Sequence, residues 1–170
     1  MKKMTAAKKN AKTMASPADS AQAYQWRHGN IGRLLNMAVQ RFEKRVLEVM
    51  AEAGYDDVSL SQVAITRNLD AGGTRATEIA KRAGITKQSV GELIGQLEAI
   101  GLVERVPDPD DKRARIVHFT PAGLAWLKAF EIAIKQSEQE MREELGATTL
   151  EHLKQGLMRY GSGGDASRGH

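Results

Sequence analysis

The sequence predicts a mainly α-helical fold with one small β-hairpin, as a single compact unit over residues 21–160. Three observations carry that reading. Apolar residues recur at three- and four-residue steps through most of the chain. Helix-start signals recur, at Ser59, Thr86 and Thr120 among others. One pair of short strand-like runs flanks a polar loop at 107–114. Of the 170 residues 41% are apolar and none is cysteine, which excludes disulfides and zinc-thiolate sites and fits a cytoplasmic location. No apolar run approaches the ~18 residues that would read as a membrane span. The start, Met1-Lys2-Lys3-Met4, has charge but no apolar stretch after it and does not read as a secretory signal.

Charge is unevenly spread. The net charge of +4 belongs to residues 1–20, where Lys2, Lys3, Lys8, Lys9 and Lys12 face one acid, Asp19. The remaining chain is balanced, with twenty basic side chains against twenty acidic ones. Binding to nucleic acid must therefore be argued from where charges sit, not from their total. Residues 1–20 read as a disordered basic arm and residues 161–170 as a flexible tail.

A long helix is expected over 29–53, where Ile31, Leu34, Leu35, Ala38, Phe42, Val46, Val49 and Met50 form one stripe and Gly54 ends it. Ser59-Leu60-Ser61-Gln62 reads as a capping box opening a second helix over Val63, Ala64 and Leu69. Asp70-Ala71-Gly72-Gly73 closes that helix, and Thr74 is placed to cap a third that runs through Ile79 to Ala83. A fourth is expected from Thr86 to near Gly101, then strands at 102–106 and 115–119. Thr120-Pro121 is a helix start, with proline tolerated at the first helical position. Thr148-Thr149-Leu150-Glu151 reads as another capping box, for a last helix ending near Tyr160.

The informative stretch runs from Ile79 to Leu93. Two short helices that cross steeply need a small residue at the crossing, which Ala80 supplies. Their tight turn needs a residue that accepts positive φ, and Gly84 stands there. Ile79, Ala83, Ile85, Val90 and Leu93 close the pair against a third helix. This is a helix-turn-helix, and its second helix, over residues 86–96, is the candidate recognition helix. Its apolar side is Val90, Leu93, Ile94 and Leu97, so the opposite face holds Gln88, Glu92 and Gly95, flanked by Lys87, Gly91 and Gln96. Gln88 suits adenine in the major groove, and Thr86, Lys87 and Ser89 suit phosphates.

The loop Pro107-Asp108-Pro109-Asp110-Asp111-Lys112-Arg113-Ala114-Arg115 follows directly. Two prolines stiffen its first half and three cations, Lys112, Arg113 and Arg115, gather in its second. A β-wing with a basic tip can place arginine in a narrow, electronegative minor groove. Asp111, two residues before Arg113, could orient that guanidinium through a bidentate pair.

The stretch from Thr74 to Gly123, TRATEIAKRAGITKQSVGELIGQLEAIGLVERVPDPDDKRARIVHFTPAG, resembles the core of the MarR (multiple antibiotic resistance regulator) family of bacterial transcription regulators. The resemblance rests on the helix-turn-helix, on LEAIGLVER leading into the first wing strand, on Asp-Lys-Arg in the wing and on Thr-Pro-Ala-Gly at its exit. It implies a winged helix-turn-helix homodimer that represses by binding a pseudo-palindromic operator and releases it on binding a small molecule. By the same resemblance Arg113 is the wing-tip minor-groove residue and Asp111 its anchor. Gly91 and Gly95 depart from the family pattern, standing where a threonine and a larger polar residue are often found.

Residues 58–120 form the expected DNA-binding core, too small to cover the whole stripe of a helix over 29–53. Residues 121–160 add apolar surface at Trp126, Leu127, Phe130, Ile134, Leu153 and Leu157. The two outer segments are therefore expected to be dimerisation helices. An intramolecular bundle is the alternative, which the resemblance disfavours. Trp26, His28 and Asn36 are the expected contacts of a small effector such as an aromatic acid, set against plain interface roles. The partners expected are double-stranded DNA, a second copy of the chain and an organic effector, with no membrane and no cofactor. Histidines 28, 118, 152 and 170 show no metal-ligand spacing. No nucleophile, base and orienter are grouped as an enzyme requires. A sequence-indifferent architectural DNA binder and a winged helix used only for protein contacts are the competing readings.

Overall fold

The structure is a computed structural model that describes residues 26–111 and 113–162. The chain divides into two units, one ending at Arg41 and one beginning at Phe42. The expected basic arm, Lys112 and residues 163–170 of the expected tail lie outside the described residues.

In the first unit a helical turn at 26–29 precedes helix α1 (Ile31–Glu52), which begins here and ends in the second unit. Asn30 joins turn and helix. Its Oδ1 accepts from the Arg33 backbone N–H at 3.0 Å, and its Nδ2 donates to the Trp26 and Arg27 carbonyls. Ile31, Leu34, Met37 and Val39 are exposed in this unit.

The second unit is built on three short helices and a small sheet. Helix α2 (Leu60–Thr66) opens with the expected capping box. It stops before Leu69, because the Thr66 hydroxyl and the Asn68 amide donate to the Val63 and Ala64 carbonyls and so take up acceptors of the last turn. Strand β1 (Thr74–Arg75) follows, then α3 (Ala76–Ala83) and α4 (Lys87–Ala99). Strands β2 (Val103–Pro107) and β3 (Arg115–Phe119) come next, then the long α5 (Pro121–Leu145) and α6 (Ala147–Gly161).

The sheet is antiparallel in the order β1-β3-β2, with Thr74 opposite Val117 and Val103 opposite Phe119. The hairpin is thus a three-stranded sheet, and Thr74 is a strand residue rather than a helix cap. Its hydroxyl accepts from the Asp70 N–H at 2.9 Å and donates to the Asp70 carboxylate, while Arg75 takes the cap position. The expected capping box at Thr148 is also absent. Gly146, at φ +83°, starts α6 earlier, so Thr148 and Thr149 fall inside the helix.

Ile65, Ile79, Val90, Ile94, Leu97 and Trp126 are fully buried in one cluster, with Val46, Val49 and Met50 of α1 beside them. Each such side chain contributes about 1.5–3 kcal/mol by leaving water. Trp126 stacks on Phe130 with ring centroids 5.0 Å apart. The turn between α3 and α4 is as expected, with Gly84 in the left-handed region at φ +67°.

Where α4, the sheet and α5 meet, backbone touches backbone. The Thr120 N–H donates to the Leu102 carbonyl at 3.1 Å, and its hydroxyl donates to the Gly101 carbonyl at 2.5 Å. The same hydroxyl oxygen caps α5 by accepting from the Gly123 N–H. A Cβ at Gly123 would collide with the Leu102 carbonyl, so only glycine fits.

Candidate nucleic-acid interface

Helix α4 has the capped start that the sequence predicts. Thr86 Oγ1 accepts from the Ser89 N–H at 3.1 Å and lies 2.9 Å from the Ser89 hydroxyl. Both hydroxyls are therefore engaged in the cap, with Thr86 exposed and Ser89 half-buried. Lys87, Gln88, Glu92 and Gln96 are exposed, and Val90, Ile94 and Leu97 are buried on the other side. Two of the exposed side chains are tied in place. Gln88 Nε2 donates to Glu92 Oε1 at 3.0 Å, one turn along the helix. Gln96 Oε1 accepts from Gln62 Nε2 at 3.3 Å, across to α2.

Gly91 and Gly95 lie on the half-buried flank of the helix. A Cβ at either would meet nothing within 4 Å, so the fold of the chain does not require glycine there. The Gly91 carbonyl accepts from Arg105 Nη2 at 3.2 Å, while Arg105 Nη1 donates to Glu98 at 2.5 Å. Arg105 of β2 thereby ties the sheet to the flank of α4.

The loop between β2 and β3 is ordered by its aspartates. Asp108 is buried at 6% exposure, and its Oδ2 accepts from Arg75 Nε at 2.6 Å. Its Oδ1 accepts from the Asp110 N–H at 2.9 Å, and its own N–H donates to the Ala114 carbonyl. The Arg75 hydrogen bond, then the Asp110 N–H, hold the Asp108 carboxyl below the usual carboxylate range, against its own desolvation. Arg75 is raised in turn by the same partner.

Asp111 makes a local contact. Its Oδ1 accepts from the backbone N–H of Arg113 at 3.0 Å, so the contact found fixes the turn and not the guanidinium. A backbone N–H two residues on is the nearest donor an aspartate can reach, which is why the local bond wins. Arg113 and Arg115 are both exposed, and Arg115 Nη1 donates weakly to the Arg105 carbonyl at 3.5 Å. His118 is half-buried rather than turned to solvent. Its ring packs over Gly73, where a Cβ would collide with it.

A capped helix with a polar exposed face, next to a hairpin whose loop carries exposed arginines, is the arrangement of a winged helix-turn-helix. The MarR family model matches residues 56–114, which contain α4, β2 and the loop up to Ala114. Over that segment the chain is similar to the MarR family.

Whole-protein and structural comparisons find similar proteins. The chain is 27% identical over 128 residues to the multiple antibiotic resistance protein MarR of Escherichia coli K12, covering 72% of this chain and 87% of that protein. It is 29% identical over 73 residues to a protein of Thauera aromatica named as a transcriptional regulatory protein for the hcr operon. That match covers 43% of this chain and spans 44% of the relative's length. Among solved structures, the repressor CouR bound to a 23-mer DNA duplex superimposes with a TM-score of 0.64 at 23% identity, covering 81% of this chain and 96% of that one. A mutant E. coli MarR complexed with operator DNA gives 0.65, also at 23% identity, covering 79% and 96%.

The remaining predicted residues are scattered. Trp26 and His28 lie on the turn at 26–29 and Asn36 on α1, all three exposed. Sequence reasoning missed Arg75, Asp108, Arg105 and Gln62, the residues that brace the wing and the recognition helix. Only Gln62 carried a local signal, as the last residue of a capping box. No helix among the described residues is long and apolar enough to cross a membrane.

Proposed function

We propose that this chain is a MarR-family transcriptional regulator that binds duplex DNA as a homodimer, with α4 in a major groove and the wing in the adjacent minor groove. The observation that carries the reading is the pairing, within one unit, of the exposed α4 face with the exposed wing arginines. Lys87, Gln88, Ser89, Glu92 and Gln96 with Thr86 would meet one groove, and Lys112, Arg113 and Arg115 the other. Asp111 would act by shaping the turn that carries Arg113. Two structures of the same fold, CouR and a mutant MarR, hold DNA, which supports DNA as the partner.

Dimerisation is supported by apolar surface left open in each unit. Ile31, Leu34, Met37 and Val39 are exposed in the first, and Leu124, Leu127, Ile132, Leu157 and Met158 in the second. Segments 29–53 and 121–160 would be covered by a second copy, and 58–120 would be the DNA-binding core of a domain over 21–160. Two recognition helices about 34–36 Å apart would then match a pseudo-palindromic operator. We assign repression in the cytoplasm, relieved by a small aromatic-acid-like ligand, with Trp26, His28 and Asn36 as its candidate contacts.

The test is fluorescence anisotropy with a labelled fragment of the gene's own upstream region against a scrambled duplex, at two salt concentrations. A preference of roughly a thousandfold is expected for a specific regulator. Equal affinities that fall together with salt would instead favour an architectural binder.

A further inference from the structure

The recognition helix carries two glutamines that the rest of the fold holds in different ways. An amide side chain offers both a donor and an acceptor, so its meaning to a partner depends on which atom is already in use. For Gln62 that choice is made by the backbone. The Ser59 N–H can only donate, so the Gln62 atom facing it, at 2.7 Å, must be Oε1, which the Ser59 hydroxyl also reaches at 2.9 Å. Gln62 is 6% exposed, so its amide has little room to turn. Its Nε2 therefore faces α4 and donates to Gln96 Oε1 at 3.3 Å.

We infer that Gln62 is a positioning residue that fixes the hydrogen-bond polarity of Gln96, so that α4 presents amide N–H donors there and reads a hydrogen-bond acceptor on DNA. The inference rests on the reading that α4 faces DNA, and it adds what α4 asks for at that point. With Oε1 turned to α2 and engaged by Gln62, Gln96 turns Nε2 towards a partner. The acceptors it can meet are guanine O6 and N7, adenine N7, thymine O4 or a phosphate oxygen; cytosine N4 is disfavoured, because the Oε1 it would need points to α2. Gln88 is held the opposite way. One of its N–H groups goes to Glu92, leaving Oε1 and the second N–H, the pair that adenine requires. Gly95, beside Gln96, adds no side chain between this amide and a duplex.

The experiment selects bound duplexes from a randomised pool for the wild type, Gln62→Glu, Gln96→Met and Gln88→Ala. Gln62→Glu keeps an acceptor for the Ser59 N–H, and a glutamate serves a capping box as well as a glutamine does. Its second oxygen now requires a donor, so Gln96 must reverse and show Oε1 outward. The expected result is a change at one symmetry-related pair of positions, from guanine towards cytosine or adenine, of roughly tenfold. Gln96→Met loses the same preference without altering the buried residue, which covers the case in which Gln62→Glu does not fold.

If the acceptor is a phosphate, base preference stays as it was. Instead, a neutral methylphosphonate at one linkage weakens the wild type and leaves Gln62→Glu and Gln96→Met unaffected. Retention by both variants of the wild-type base preference and linkage sensitivity overturns the inference. So does a loss in Gln96→Met that Gln62→Glu does not share. If Gln88→Ala and Arg113→Ala both bind every duplex as the wild type does, the placement of α4 and the wing on DNA fails, and the inference falls with it.

Discussion

The recognition helix and the wing reach a similar end by opposite means. On α4 the backbone is an ordinary capped helix, and the order lies in side chains tied to one another: Thr86 to Ser89, Gln88 to Glu92, Gln96 to Gln62. In the wing the side chains of Asp108 and Asp111 are used to tie backbone, while Arg113 stands exposed at the tip. A helix already has fixed N–H and C=O groups, so its polar side chains are free to define a pattern. A loop must spend its aspartates on its own N–H groups before it can hold any cation in place. The helix is therefore suited to discriminate and the wing to supply charge.

The contrast can be broken at four points. Gly123→Ala strikes both regions at once, because the added methyl meets the Leu102 carbonyl where α4, the sheet and α5 converge. It should cost about 3 kcal/mol, the upper range for overpacking, and be seen as a large fall in Tm by circular dichroism. An unchanged Tm would mean that α5 can shift freely there. Arg113→Ala should weaken operator binding about tenfold, close to 1.4 kcal/mol, with Tm unmoved, since the residue is exposed. Unaltered affinity would remove the wing from the interface.

Gly91→Ala and Gly95→Ala sharpen the comparison from the helix side. Both positions are open in the chain itself, so each change should stabilise the protein by about 1 kcal/mol. A rise in chemical-denaturation midpoint together with weaker DNA binding would show that the backbone of α4 approaches a duplex closely. A rise with unchanged binding would show that these glycines have no role in contact.

Asp108→Asn is expected to have the smallest effect on DNA affinity, about threefold, in keeping with an ion pair whose cation is half in water. Its stability effect carries a pH signature. The folded-state carboxyl is lowered by Arg75, so its contribution is fully present above the ordinary value of 3.8 and is lost as pH falls through the lowered one. The Tm gap between wild type and Asp108→Asn should be widest near neutral pH and close in acid. A gap that does not narrow at all as pH falls below 3.8 would show that Asp108 acts by shape alone.

What the sequence disclosed was what neighbours decide. The α3–α4 turn was legible because Gly84, Ala80 and the Thr86 cap act within a few residues of each other. The bonds that join Gln62 to Gln96 and Arg75 to Asp108 link residues 34 and 33 positions apart. Arg45 reaches Glu140 across 95. No local pattern marks such pairs, since either partner alone looks like a solvated polar residue. Local patterns also misled where a competitor stood close by. Thr148 lost its capping role to Gly146 and Thr74 lost its own to strand pairing with Val117. Asp111 found a backbone N–H before it could find a guanidinium.

The junction at Thr120 has a mechanical consequence. One residue, the first before α5, holds the carbonyls of both Gly101 and Leu102, the link between α4 and β2. With Gly123 pressed on the same spot, α5 has no slack against either. A tilt of that long helix would therefore turn α4 and the sheet together, as a wrench turns a bolt and not its thread. Any signal that arrives along α5 would alter the angle at which the whole core meets a groove, while the pattern of donors and acceptors on α4 stays the same.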